Sequence, residues 1–257
     1  MLSYHIYPGS GPYLLLVHGA LSNRAQWTLN LQALGQVCRP VTAELLGHGD
    51  SPAPQDIDAY QPDAYVSYFE AIREALDTRR WFLCGYSLGA SLTLRYALDF
   101  PDRVIGHALT NSRSAFATPE DSDKWRSDGK KTLQRVAEKG LAYIKKSPFH
   151  PRFATSLPKA VYDPLSERAE LLDAQGAANT LALTSPAASV RERLAENTRP
   201  ALLLHGVREK GFAPYAEYAK ANMPLLRVTE LPAGHGVNMQ AADAFNSQVQ
   251  EFVTECT

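Results

Sequence analysis

Trp81-Phe82-Leu83-Cys84-Gly85-Tyr86-Ser87-Leu88-Gly89-Ala90-Ser91-Leu92-Thr93-Leu94-Arg95-Tyr96-Ala97-Leu98 is the stretch that decides the fold. Its first four residues are apolar and predict a buried strand. Its last nine predict a helix packed through Leu92, Tyr96 and Leu98. Between them Gly85-Tyr86-Ser87-Leu88-Gly89 fits the pattern Gly-x-Ser-x-Gly. A strand that reverses directly into a helix leaves no room for side chains beside the turn, so glycines flank it. The hydroxyl of the serine is then pushed clear of the backbone above the helix N-terminus. The five-residue pattern alone arises by chance in loops; the strand before it and the helix after it make it specific. Ser87 is therefore the candidate nucleophile of a serine hydrolase.

A serine hydroxyl is a weak nucleophile at neutral pH, so the chemistry requires a base, an acid that orients it, and donors for the oxyanion. The best base is His235, in Leu231-Pro232-Ala233-Gly234-His235-Gly236. It follows an apolar run from Leu225 to Leu231 and precedes a final helix expected over Ala241 to Val253. The plain alternative is a histidine in a surface turn; its glycine-flanked position near the C-terminus, after the serine in chain order, is what the elbow requires. The acid is expected at Glu209, three residues beyond Gly206 at the end of the apolar run Ala201-Leu202-Leu203-Leu204, which puts the three groups in the order Ser, acid, His. Arg208 and Lys210 flank Glu209, so a solvated charge cluster is the competing reading. The apolar run Tyr13-Leu14-Leu15-Leu16-Val17 ends in His18-Gly19, after which the backbone N–H of Ala20 is positioned to serve an oxyanion. The N–H of Leu88, the residue after the nucleophile, is the second expected donor. His18 is read as a shaper of that loop.

Taken together, these landmarks resemble those of the α/β-hydrolase family over nearly the whole chain. They comprise His18-Gly19 after a strand, Gly47-His48-Gly49-Asp50-Ser51 in the next loop, the serine elbow, and Ala233-Gly234-His235, in that order. The resemblance implies an α/β fold with a mostly parallel sheet, helices on both faces and a helical cap. It also implies a Ser87–Glu209–His235 triad with Ala20 and Leu88 at the oxyanion hole. Two positions depart from the family pattern: glutamate stands at 209 where aspartate is usual, and Glu44 opens the loop that usually begins with aspartate. The first bears on the triad, the second on loop packing. Dehalogenase and epoxide-hydrolase chemistry needs aspartate at position 87 and is excluded.

Composition is consistent with this reading. A chain of 257 residues, 45% hydrophobic and 21% charged, suits one globular unit with a large core. The start Met1-Leu2-Ser3-Tyr4-His5-Ile6-Tyr7 has no basic, apolar leader pattern, and no run reaches the length of a membrane span. Cys38, Cys84 and Cys256 are unpaired in spacing, as in a reducing compartment. The expectation is a cytoplasmic protein that needs no metal or other cofactor and binds no membrane. Helices are also expected over Arg24 to Leu34 and Ala64 to Leu76, and a strand over Val104 to Thr110. Strands alternating with helices argue for a parallel sheet covered on both faces.

The alternation breaks from about Asn111 to Asn197, a helical pattern punctuated by prolines. Residues 1–110 and 198–257 are expected to form the core, with 111–197 as the cap; the family places its cap between the sixth strand and the seventh. Ten basic residues between Lys124 and Lys159, Arg135, Lys139 and Arg152 among them, face only Asp128 and Glu138, a formal +8 in a chain of net −1. Such polarity steers anions or an acidic partner such as an acyl carrier protein; a lysine-rich solvated surface is the alternative. No nucleic-acid motif accompanies the charge.

Three functions compete. The first is hydrolysis of a small-molecule carboxylic ester through an acyl-enzyme, in the manner of carboxylesterases of the pimeloyl-carrier-protein methyl ester type. The second is a C–C elimination on an anionic metabolite, as in the menaquinone-pathway synthase that Gly85-Tyr86-Ser87-Leu88-Gly89-Ala90 also resembles. The relatives of that synthase carry an arginine just after the elbow to hold a carboxylate; this chain has Ser91. The third is non-catalytic binding.

Overall fold

In a computed structural model, which describes residues 1–257, the apolar runs become the middle of a seven-stranded sheet. The strands are β1 (Tyr4–Ile6), β2 (Tyr13–Val17), β3 (Arg39–Ala43), β4 (Trp81–Gly85), β5 (Val104–Thr110), β6 (Ala201–Gly206) and β7 (Leu226–Leu231). Their spatial order is β1-β3-β2-β4-β5-β6-β7, and only β1 runs antiparallel to its neighbour. Parallel strands buried on both faces read as continuous apolar runs, which is why β2, β4, β5 and β6 were visible in the sequence, whereas β7, at the sheet edge, is only partly buried. The sequence reading did not single out β1, which has three residues, or β3, which opens with Arg39-Pro40.

The pleat sorts each run into two cores. Leu14, Leu16, Phe82, Cys84, Leu202 and Leu204 face Phe245, Val249 and Phe252 of the final helix, Ala242–Cys256. Leu15, Val17, Trp81 and Leu83 face the opposite side, against Phe69 and Ile72 of the helix Pro62–Ala75 and Leu92 and Tyr96 of the helix Leu88–Asp99. Every one of these side chains is essentially solvent-free. At roughly 1.5–3 kcal/mol for each large apolar side chain removed from water, they are the main source of stability.

The helix expected over Arg24 to Leu34 does not form as one piece. A 3-10 turn, Arg24–Trp27, is followed by a separate single α-turn, Leu31–Leu34. Asn30 lies between them, with its side-chain N–H groups donated to the Asn238 carbonyl (3.0 Å) and Asn246 Oδ1 (2.8 Å). This buried polar anchor to the final helices overrides the local helical pattern.

The insert falls between β5 and β6, so it follows the fifth strand and not a sixth as the family numbering suggested. All its regular elements are helical, the longest being Pro119–Lys139, which Thr118 and Asp121 open with a reciprocal capping box. Glu44 ties the insert to the sheet. Its buried carboxylate accepts hydrogen bonds from Arg24 Nη1 (3.1 Å), Arg168 Nη2 (3.0 Å) and the Asp50 N–H (2.9 Å). Glu44 thus reaches beyond its own loop, since Arg168 comes from the insert helix Lys159–Arg168. His5, Glu44 and Asp50 converge closely enough to suggest a metal cluster, but Arg24 and Arg168 occupy both carboxylates. The cluster is an ion-pair network. No helix is long and apolar enough to cross a membrane.

Candidate active site

Ser87 sits between β4 and the helix Leu88–Asp99 with φ 52° and ψ −120°, a strained conformation for a residue with a side chain. The flanking glycines explain how the chain tolerates the turn. A Cβ on Gly85 would lie 2.3 Å from Ala90 Cα, and one on Gly89 would lie 2.3 Å from the Val17 carbonyl oxygen. Strand, turn and helix are pressed too closely for any other residue.

The loop after β2 meets this turn. A Cβ on Gly19 would come within 2.9 Å of both Ser87 Cβ and the Tyr86 ring, so the backbone just before Ala20 stands beside the serine. Leu88 opens its helix, where the first N–H groups have no intrahelical acceptor. Two buried histidines hold the loop. His18 donates from Nδ1 to the Gly19 carbonyl (2.8 Å) and accepts the Leu45 N–H at Nε2 (3.0 Å). His48 donates to the Leu46 carbonyl (2.9 Å) and accepts the Leu21 N–H (3.0 Å). Burial lowers both pKa values, that of His48 to about 3, so both are neutral and serve as spacers between backbone groups. The loop-shaping role read for His18 agrees with this geometry.

His235 lies in the loop after β7, its ring edge-on to Tyr86 at 5.2 Å between centroids. Gly206, which ends β6, lets that loop approach: a Cβ there would lie 2.2 Å from the Gly234 carbonyl oxygen. The N–H groups of Val207 and Arg208 bond to the carbonyls of Leu231 (3.1 Å) and Ala233 (2.9 Å), which joins the two strand-end loops. In that frame Glu209 turns inward, although Arg208 and Lys210 on either side are exposed. Its Oε2 accepts from His235 Nδ1 at 2.9 Å and from Asn111 Nδ2 at 2.8 Å. The charge-cluster reading of Glu209 does not hold.

Burial alone would raise the Glu209 carboxyl. The bond and charge of His235, the Asn111 amide and the nearby Arg113 outweigh it and hold the group below the ordinary glutamate value. Asn111, directly after β5, is thus a second partner of the carboxylate. Its amide also bridges both backbone groups of Gly206, donating to the carbonyl (3.0 Å) and accepting the N–H (2.8 Å). A side chain that fixes Gly206 and Glu209 together fixes where the carboxylate points.

Arg135, Lys139 and Arg152 are exposed on the insert, and none of them hydrogen-bonds to Ser87, Glu209 or His235. The basic window is also less bare than the sequence count implied. Asp123, Asp163 and Glu170, all outside it, pair with Arg126, Lys159 and Lys145.

Comparison with known proteins gives the same architecture. The family model for the alpha/beta hydrolase fold matches residues 12–242. A protein of Bacillus subtilis (strain 168), provisionally named 2-succinyl-6-hydroxy-2,4-cyclohexadiene-1-carboxylate synthase, is 25% identical over 96% of this chain and 92% of its own length. The pimeloyl-[acyl-carrier protein] methyl ester esterase of Nitrosomonas europaea is 30% identical over 47% of this chain and 46% of its own. The structure of MenH from S. aureus superposes with a TM-score of 0.85 at 18% identity, covering 98% of both chains. With the elbow, the seven-stranded sheet and the helical insert, these matches lead to one conclusion: the chain belongs to the alpha/beta hydrolase family.

Proposed function

We propose that the protein hydrolyses carboxylic esters by nucleophilic catalysis, with Ser87 as nucleophile, His235 as general base and Glu209 as the acid that orients it. The observation that carries the reading is the Glu209–His235 hydrogen bond at 2.9 Å, with the imidazole packed on the residue that precedes Ser87. Because Glu209 engages Nδ1, the proton stays there and Nε2 is the basic nitrogen. Ser87 Oγ attacks the acyl carbon as Nε2 takes its proton. The N–H groups of Ala20 and Leu88 stabilise the tetrahedral oxyanion. The imidazolium then protonates the leaving alcohol, and water, deprotonated by the same nitrogen, releases the acid and restores Ser87. Turnover of p-nitrophenyl esters of graded acyl length tests this, together with labelling by a fluorophosphonate. Ser87→Ala is expected to abolish both and to keep the fold; labelling elsewhere, or full turnover by the variant, overturns the reading.

The basic insert supports a narrower version in which the acyl group arrives on an acidic carrier protein, as the name of the Nitrosomonas europaea relative describes for that enzyme. Reversing Arg135, Lys139 and Arg152 to glutamate is expected to impair a carrier-bound ester and to spare a small neutral one. Equal effects on both would remove the carrier. The full-length match to the Bacillus subtilis protein favours elimination on an anionic metabolite as the second reading. Against it, Ser91 occupies the position just after the elbow and is buried. Formation of 2-succinyl-6-hydroxy-2,4-cyclohexadiene-1-carboxylate, the product in that relative's name, without ester turnover, would establish it.

A further inference from the structure

Beneath the elbow lies a cluster of three hydroxyls with no part in the triad: Ser91 in the helix Leu88–Asp99, and Ser112 and Ser114 just after β5. Ser91 and Ser112 are fully buried. The three hydroxyls form a closed triangle, since Ser112 and Ser114 Oγ also lie 3.2 Å apart, and the shorter contacts set the following order. Ser112 Oγ donates to the carbonyl oxygen of Ser87 at 2.7 Å, which uses its single proton. Its two lone pairs then take the Ala115 N–H (3.2 Å) and the Ser91 hydroxyl (3.0 Å). Ser91, having spent its proton on Ser112, accepts from Ser114 at 2.6 Å. The result is a directed chain, Ser114 to Ser91 to Ser112, ending on the nucleophile's own carbonyl.

That carbonyl belongs to the peptide unit whose N–H is contributed by Leu88. A hydrogen bond accepted by the oxygen draws electron density along the amide and makes the N–H on its other side a stronger donor, and successive hydroxyls polarise one another in the same sense. We infer that Ser112, backed by Ser91 and Ser114, is a positioning residue for the oxyanion hole, acting through the Ser87–Leu88 peptide to orient and strengthen the Leu88 N–H. The inference rests on the ester-hydrolase reading above. It also accounts for serine at position 91: a hydroxyl there relays polarisation to Ser112.

The experiment is the kinetics of Ser112→Ala, Ser112→Thr and Ser91→Ala on a p-nitrophenyl ester, with affinity for an aryl boronic acid, which forms a tetrahedral anionic adduct on the serine. Losing an entire oxyanion donor costs about 10²–10³ in kcat, and weakening one by the 10–30% expected of a cooperative bond costs roughly twofold to eightfold. Ser112→Ala is expected to lower kcat by that factor at unchanged KM and to weaken boronate binding in the same proportion. Ser112→Thr, which keeps the hydroxyl, restores both, and Ser91→Ala gives a smaller loss of the same kind. A Ser112→Ala variant with a lower melting temperature but unchanged kcat and boronate affinity would overturn the inference and leave the triad standing. An inactive wild type, or one whose Ser87→Ala variant remains active, would instead overturn the ester-hydrolase reading.

Discussion

Replacing Glu209 by glutamine isolates one term in the proposed chemistry. Both donors to this carboxylate, His235 Nδ1 and Asn111 Nδ2, converge on the same oxygen, Oε2. A glutamine carbonyl oxygen can therefore take the place of Oε2 and keep both bonds, so the imidazole retains its tautomer and loses only the negative charge beside it. At 2.9 Å and an effective dielectric constant of about 20, a full imidazolium–carboxylate attraction is ~6 kcal/mol. The two side chains are 38% and 24% exposed, and solvent screening at partly exposed pairs removes half or more of it, leaving about 2–3 kcal/mol. That corresponds to a loss in kcat of roughly thirty- to two-hundredfold, well short of the ~10⁴ seen where the wrong tautomer is trapped. The assay is steady-state ester turnover across pH with Glu209→Gln beside the parent, and urea unfolding to show that the fold is retained. Turnover within twofold of the parent would refute the assignment of the acid. A ~10⁴ loss would refute the single-oxygen argument, because it would mean that the amide presents its NH₂ to His235.

Asn111→Asp is nearly isosteric but removes the donor that reaches Gly206 and Glu209 and sets a second carboxylate beside the first. It is expected to lower stability in urea by about 2–3 kcal/mol and to cut turnover; an unchanged midpoint would show that Gly206 and Glu209 hold their places without it. Arg168→Met leaves the buried Glu44 with Arg24 as its one cationic partner and is expected to destabilise the fold by about 1–3 kcal/mol at neutral pH. Burial raises the Glu44 carboxyl, but the Asp50 N–H, Arg168 and the Arg24 N–H outweigh it, so its folded pKa lies below the ordinary value. The stabilisation it confers is complete above the unfolded value of about 4.3 and is lost as pH falls through the lower folded value. Melting temperatures measured from pH 6 to pH 3 should fall less steeply in Arg168→Met than in the parent, and parallel curves would remove Glu44 from the acid transition.

The parts of this fold legible in the sequence were those with local causes. Trp81–Cys84 and Leu202–Leu204 are apolar because both faces of a parallel strand are covered, and Gly85 and Gly89 are glycine because backbone atoms stand where a Cβ would be. Chain order and strand ends were enough to expect Glu209 beside His235, and the fold brings the two side chains to 2.9 Å. What escaped the sequence depends on contacts between distant segments. Nothing near Asn30 announces its bonds to Asn238 and Asn246, so the break at residues 28–30 was invisible. Neither the inward turn of Glu209 between two exposed cations nor the bridge from Asn111 to Gly206 has a local signature. The acidic partners of the basic insert were missed because a window drawn along the chain does not see Glu170 folding back on Lys145.

The way the insert is fastened implies a gradient of opening free energies across it. Its later half is tied to the sheet at several points: the Leu165 carbonyl by Asn23, Arg168 by Glu44, the Asp173 N–H by the Gly47 carbonyl, and Gly176 by backbone contact with Gly47. The helix Pro119–Lys139 instead lies on other parts of the insert, with Gly129 against Ala182, and its side-chain hydrogen bond beyond it is near its start, where Asp121 accepts from the Tyr215 hydroxyl. A segment that rests on a layer itself resting on the sheet can detach without exposing the main cores. Amide exchange across 119–139 should therefore outpace that across 165–176.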